Sequence, residues 1–338
     1  MKSVTIKDIA KVVGVSYATV SRALSGSTEI GEETRERVLK ACREMGYTAN
    51  YVARSMVIKQ TKLIGLIVAN IDNPFMSEMA LHIEIRAREQ GYNLMLCNSS
   101  HDLALEKQAF ELLASHQVDG IILVPANSDS YASLKPLIAK VPTVFVSENL
   151  RDLPESYVSV DNYRGARIGT EYLHSIGHRS ILYFGLRKGS ATHQLRADGY
   201  LDACSELGIE PNIYSSSYPY SSVQAGCQMA RHIFSKTVPY SAIFAATDLL
   251  ALGVLDAAEE AGIRIPEDIS LMGFDNILYA DLPKIRLTTI EQPKKAMASA
   301  AVDILLDKIT DESSGYSHRI LTPTLIVRGS CRDVRGDK

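Results

Sequence analysis

Long apolar runs are missing from this sequence. No stretch of its 338 residues approaches the roughly 20 consecutive apolar residues that carry a helix across a bilayer, so no contact with a membrane is expected. The opening "MKSVTIKDIAKVVG" sets lysines and an aspartate where a secretory leader needs an unbroken apolar core, and a cytoplasmic location is the expectation. Cysteine is scarce: five, at 42, 97, 204, 227 and 331, odd in number and never spaced C-x-x-C. That points away from a disulfide framework and from a zinc site. His174 and His178 are four residues apart, but Gly177 interrupts the helix such a metal pair would need. Signatures of catalysis are missing too. "GLRKGS" lacks the spacing of a phosphate-binding loop, and neither G-x-S-x-G nor H-E-x-x-H occurs. No tandem repeat is visible. Neither an enzyme nor a bound cofactor is expected.

What is present is globular and asymmetric. The length exceeds what one core usually serves and suggests two or three domains. Net charge is −3, yet residues 1–60 hold ten Lys/Arg against six Asp/Glu, leaving 26 against 33 for the remainder. A small basic head therefore precedes a large acidic body.

In the head, Ile6, Ile9, Ala10 and Val13 fall at i, i+3, i+4 and i+7, the apolar stripe of a helix. Thr5 and Asp8 have the spacing of a capping box, and Gly14 ends the helix. Ser16 is a good cap for a second helix in which Val20, Ala23 and Leu24 turn inward, leaving Tyr17, Ala18, Ser21 and Arg22 outside with Thr19 at the edge. A third helix carries Thr34, Val38, Ala41, Cys42 and Met45 on one side. Two short helices around a tight turn, backed by a third, make a helix-turn-helix. Its second helix suits the major groove of double-stranded DNA. Short side chains let the backbone approach, hydroxyls reach phosphates, Ala18 can meet a thymine methyl, and Arg22 can present a fork to a guanine. A solvated three-helix domain with no DNA role is the competing reading.

"TIKDIAKVVGVSYATVSRALSG", followed by "ETRERVLKACREMGYTANYVARSM", closely resembles the LacI/GalR family of bacterial transcriptional regulators, and the likeness runs on to about residue 330. The resemblance implies that residues 1–48 form the DNA-binding domain, with Thr5 among its contacts. It implies that residues 49–60 form a hinge helix entering the minor groove, where Asn50, Ala53 and Met56 meet the DNA. Met56 stands where the family usually has leucine, and Ala49 replaces a common proline. An apolar wedge of this kind unstacks a base step and gains the bend it permits.

Residues 61–338 read as the body. "KLIGLIVANI", "YNLMLC", "DGIILV", "TVFV", "SILYFG", "SAIFAAT" and "DISLMGFD" are apolar runs separated by helix-length segments, the rhythm of parallel sheets covered on both faces. More than ten strands predict two α/β lobes. Ligands in such folds sit beyond the carboxyl ends of the strands. There lie Asn73 and Phe75, Asn127, Glu148, Asp161, Thr192, Arg196, Asp248 and Asp275, a set suited to a small polar, polyhydroxylated ligand. The resemblance assigns effector contacts to Arg196 in "R..GY", Asp275 in "GFDN" and Phe75 in "DNPF", with Asp161 and Asp248 also in the cleft. An aromatic often found on one wall would be Ser221; either Tyr220 beside it substitutes or that wall is open.

Other roles stay open for these residues. Asp248 could cap its helix, Asp275 a turn; Arg196 could pair with a surface acid, and Phe75 could serve the core. The expected architecture is an α-helical helix-turn-helix head plus a two-lobed α/β body of parallel sheets, like a periplasmic binding protein. The expected function is a ligand-responsive, sequence-specific DNA-binding regulator, a repressor. Its small-molecule effector is expected to be a sugar or sugar derivative, with a nucleobase or amino-acid-like ligand as the next candidate, and the protein is expected to act as a homodimer with no tetramerising helix. The alternative is a solute-binding receptor with the same two-lobed body.

Overall fold

The computed structural model describes residues 4–25, 29–47, 60–127, 129–147, 154–187, 190–236, 239–311 and 315–336. The chain divides into two compact units, Met1–Thr61 and Lys62–Lys338.

In the first unit, α1 (Ile6–Val13), α2 (Tyr17–Ser25) and α3 (Glu32–Glu44) enclose a core of Ile9, Ala10, Val13, Val20, Ala23, Val38, Ala41 and Cys42. So small a core depends on well-made helix ends, each worth about 1 kcal/mol. The amide and hydroxyl of Thr5 both donate to the Asp8 carboxylate, at 2.9 and 2.6 Å. Gly14 closes α1 in the left-handed region at φ 73°. The Thr19 amide donates to the Ser16 hydroxyl at 3.0 Å. One tie was not legible in the sequence: Arg37 of α3 donates to the Val13 carbonyl at 2.7 Å and fastens the end of α1.

The second unit holds two six-stranded sheets. Its strands are β1 (Leu63–Val68), β2 (Asn93–Asn98), β3 (Gly120–Leu123), β4 (Thr143–Val146), β5 (Ser156–Val160), β6 (Ile181–Arg187), β7 (Asn212–Ser216), β8 (Ala242–Ala245), β9 (Ser270–Asp275), β10 (Thr288–Glu291), β11 (His318–Leu321) and β12 (Thr324–Ile326). The first sheet runs β11-β5-β4-β3-β1-β2 and the second β12-β10-β9-β8-β6-β7. All pairings are parallel except β12 with β10. The helices are α4 (Pro74–Glu89), α5 (Leu103–Ser115), α6 (Ser130–Ile138), α7 (Asn162–Ser175), α8 (Ala191–Leu207), α9 (Val223–Phe234), α10 (Asp248–Ala261) and α11 (Lys294–Thr310). They cover both faces, which is why β1, β3, β4 and β8 read as unbroken apolar runs.

The lobes are not consecutive segments. The chain leaves the first sheet after β5, returns to it with α11 after β10, and crosses again between β11 and β12. Three strands therefore join the lobes. Within each sheet, connections from one strand diverge to opposite sides, at β1 (towards β2 and β3) and at β6 (towards β7 and β8). Such switch points open a crevice at the carboxyl edge, and here the two crevices line one cavity.

Candidate functional site

On α2, Tyr17, Ser21 and Arg22 are exposed and Ala18 is half-buried. Their i, i+1, i+4, i+5 spacing makes them one outward face. Arg22 lies 3.4 Å from Glu29, with both side chains more than half exposed. A surface pair of this kind is weak, of order 0–1 kcal/mol, and yields readily to a better acceptor. The hydroxyls of Ser16 and Thr19 bond each other at 2.9 Å at the start of α2. Thr5 is exposed at the start of α1.

The interlobe cavity has a volume of about 110 Å3. After β1 it is lined by Asn73 and Phe75. Asn73 caps α4, its side chain accepting from the Phe75 amide at 3.0 Å, and so fixes the ring in the wall. Phe75 is 4% exposed and also belongs to the core of the first lobe, so cavity and core share it. From the second lobe come Thr192 and Arg196 on α8 and Asp275 at the end of β9. The Thr192 hydroxyl donates to the Ser147 carbonyl of the opposite lobe at 3.1 Å.

Arg196 is nearly buried. Its guanidinium donates to Asn162 Oδ1 (2.8 Å) and the Ala246 carbonyl (2.6 Å), lies 3.4 Å from Asp275, and stacks 3.7 Å from the Phe274 ring centre. Its acid is thus the cavity aspartate, not a surface one. Asp275 also accepts from Gln292 at 2.6 Å. Its backbone is strained, at φ 123°, with Asn276 following at φ 50°. Such strain persists only where the surroundings over-determine it. Here Lys294 donates to the carbonyls of both residues, at 3.2 and 2.6 Å, and Arg328 donates to the Asn276 side chain at 2.8 Å.

Asp248 does not line the cavity. It is fully buried behind it, accepting from the Thr289 hydroxyl at 2.6 Å and the Ile277 amide at 2.9 Å, while Thr247 caps α10. Gly273 leaves room for it: a Cβ there would fall 2.1 Å from its carboxylate. Burial pushes the Asp248 carboxyl up, to about 7, and the neighbouring Asp275 charge adds to the rise. Burial raises Asp275 as well, against the pull of Arg196, Gln292 and Lys294.

Asp161 also stays outside the cavity, because its carboxylate caps α7 by accepting from the Arg164 amide at 3.0 Å. Asn127 is turned into its own loop, accepting from the Asp129 amide at 2.8 Å, and borders an outer groove. Tyr220 is 43% exposed and reaches the site only through His101, on which it stacks. Glu148, Asn50, Ala53 and Met56 lie outside the described residues.

Two family descriptions match the chain: "Bacterial regulatory proteins, lacI family" over residues 5–50, and "Periplasmic binding protein-like domain" over residues 170–331. The HTH-type transcriptional regulator DegA of Bacillus subtilis is 33% identical over 330 residues, covering 96% of this chain and 97% of DegA. The ribose operon repressor of Haemophilus influenzae is 32% identical, covering 96% of this chain and 98% of the relative. The chain belongs to the LacI family. A solved Lac repressor dimer, bound to operator and the anti-inducer ONPF, superposes with TM-score 0.88 at 26% identity, covering 98% of this chain and all of the other. The Lac repressor fold, helix-turn-helix head and two-lobed parallel α/β body, is therefore shared.

Against the LacI-family expectation, Asn73, Phe75, Thr192, Arg196 and Asp275 come together at the cavity. His101, Ser147, Arg187 and Gln292 also line it and were not anticipated. The strand-end rule reaches His101, in "NSSHDL" just after β2. Ser147 adjoins the Glu148 that was singled out. Gln292 follows β10, a strand the sequence did not reveal. His193 is buried beneath the site and held well below the usual histidine range, by burial first and then by Arg196 and Arg187.

Proposed function

We propose that this LacI-family member is an effector-responsive, sequence-specific repressor of transcription, reading one operator half-site per subunit. Residues 1–48 bind DNA, 49–60 form the hinge, and 61–338 bind effector and dimerise. On the DNA side the proposal keeps Thr5, Ser16, Tyr17, Ala18, Thr19, Ser21, Arg22, Asn50, Ala53 and Met56. On the effector side it rests on Asn73, Phe75, Thr192, Arg196 and Asp275.

The observation that carries this reading is the buried Arg196–Asp275 pair facing a small cavity. A fixed donor and a fixed acceptor side by side suit vicinal hydroxyls, which give and take hydrogen bonds at once. Phe75 supplies the apolar face that a sugar ring needs. A relative named for the ribose operon, and a structural relative solved as a cellobiose complex, point to the same ligand class. Binding energy spent unequally on two lobe arrangements alters DNA affinity by the same factor, and about 1–3 kcal/mol of coupling changes it several- to 100-fold.

Dimerisation, as in the Lac repressor structure, is supported by an apolar surface beside the site. Leu278, Tyr279 and Leu282 are 68, 44 and 45% exposed, an unusual concentration for a free surface. Leu278→Glu is expected to give monomers in sedimentation and to weaken operator binding by more than about tenfold, since a single head neutralises half as many phosphates.

A glycosidase reading has one point in its favour, a carboxyl raised to about 7 beside a second carboxyl. Asp248 is nonetheless sealed behind the wall with both oxygens engaged, where it reaches no substrate. This favours a binding site over a catalytic one. Among the described residues no helix is long and apolar enough to cross a membrane, and a chromosomal target places the protein in the cytoplasm. The test is selection of genomic fragments by the full-length protein at low salt. Enrichment of a near-palindromic sequence is expected; recovery at background for every fragment would sink the reading.

A further inference from the structure

His101 sits three residues beyond β2 in an unusual backbone, with Ser100 at φ 51° and His101 itself at φ 60°. Two consecutive left-handed residues that are not glycine are costly, roughly 1 kcal/mol or more each. The result is an imidazole set into the seam between the lobes. On one side its ring lies parallel to Tyr220 of the second lobe, 5.2 Å between centres and 4° between planes. Arg187 holds Tyr220 there by donating to the Pro219 carbonyl at 3.1 Å. On the other side His101 borders the cavity.

The two ring nitrogens are used unequally. The Ala126 backbone favours an N–H on the ring, and Nδ1 is buried with no partner. An N–H turned to the Ala126 carbonyl, which can only accept, leaves Nδ1 with a lone pair. That assignment is braced from behind. The buried Glu106 carboxyl accepts from the Ala126 amide at 2.6 Å and fixes the peptide. Burial and the Arg187 charge both push the imidazole below the usual histidine range, so it stays neutral. Ser147 Oγ, on the same wall at φ 69°, is a second buried polar atom without a partner. Buried polar groups are normally paired, and each exception asks for an explanation.

We propose that His101 is a specificity-determining residue of the effector site, whose Nδ1 accepts a hydrogen bond from an uncharged hydroxyl of the ligand as the lobes close and Tyr220 stacks behind it. This rests on the effector reading above and narrows it. A carboxylate or phosphate oxygen has no proton to give and would face a lone pair. An ammonium group would meet the nearby Arg187 charge. Arg196, the other cation of the wall, already serves Asn162, Ala246 and Asp275. A neutral ring hydroxyl satisfies His101, and its own oxygen remains free to accept from Ser147.

The test is isothermal titration of the full-length protein with D-ribose, D-xylose, D-glucose and cellobiose, and with D-ribose 5-phosphate and D-glucose 6-phosphate. Two variants are compared with wild type. His101→Asn places a carbonyl oxygen near the position of Nδ1. His101→Phe keeps a ring on Tyr220 and deletes the acceptor. At least one uncharged sugar should bind wild type more tightly than either phosphate ester. His101→Asn should retain that affinity within about fivefold, and His101→Phe should lose about tenfold or more. Equal affinity in wild type and His101→Phe overturns the proposal, as does tighter binding of a phosphate ester than of its parent sugar. If none of the six binds while the same preparation still selects specific DNA, the hydroxyl assignment is wrong and the regulator reading stands. A preparation that selects no DNA counts against the regulator reading instead.

Discussion

Two carboxyls, one behind the other, show how single residues divide the work. Asp275 faces the cavity and Arg196; Asp248 lies behind and ties the Ile277 amide to Thr289. Burial favours a proton on Asp248, because the charged carboxylate is stripped of water there, and the neighbouring Asp275 charge adds to the rise. A folded-state pKa of about 7, against an ordinary 3.8, means that the folded protein holds the proton more tightly than the unfolded chain. The associated stability is complete below the ordinary carboxylate range and is lost as pH rises through 7. Asp248→Asn can still accept from Ile277 and donate to Thr289, and it has nothing to titrate. Its Tm relative to wild type is therefore expected to rise between pH 4 and pH 8 by the equivalent of about 2–4 kcal/mol; a constant difference across that range would contradict the assignment. On the DNA side, Arg22→Ala should cost about 1–3 kcal/mol of operator affinity and relax preference at one base position, read by binding to a randomised half-site. At this scale the sequence was partly legible. Arg196 and Asp275 stood out through the family resemblance of "R..GY" and "GFDN". Asp161, Asp248 and Asn127 looked equivalent in the sequence, since a carboxylate or amide at a strand end serves a cap, a buried brace or a cavity equally well until the backbone direction is known.

Among the elements, legibility followed burial. The strands β1, β3, β4 and β8 are wholly or almost wholly buried apolar runs, and their sequences announce it. β5, "SYVSV", is equally buried but carries serines, and the Ser156 hydroxyl accepts from the Ser317 amide at 3.1 Å, so its polarity concealed it. β11 and β12 are short, solvent-facing edge strands at which the apolar pattern fades. Packing between helices was less visible still. In "RADGY", Gly199 lets α8 press against α7, where a Cβ would fall 2.1 Å from the Tyr163 carbonyl oxygen. Backbone cannot yield as a side-chain tip can. Gly199→Ala is expected to destabilise the body by about 1–3 kcal/mol, at the upper end of overpacking, and to loosen Arg196 one turn earlier on α8. Denaturant unfolding with a wild-type midpoint would show that the helices can part at no cost.

For the whole molecule, the three crossings decide how a ligand is felt. Because α11 and β11 return to the first lobe, each lobe is built from separated stretches of the body, and three connections link the lobes. Contacts that span the seam, Thr192 to Ser147, His101 to Tyr220 and Glu78 to the Leu278 amide at 2.9 Å, lie around the cavity and its rim. The apolar rhythm revealed that there are two lobes; it could not reveal that they are interleaved, because crossings leave no periodic trace. The central claim is that ligand in this cavity governs whether the basic head holds DNA. The most direct measurement is operator affinity of the full-length dimer, on the fragment it selects from genomic DNA, with and without a sugar that binds the body. A change of about fivefold or more is predicted, lost in Asp275→Asn. An operator affinity indifferent to saturating sugar would contradict the account.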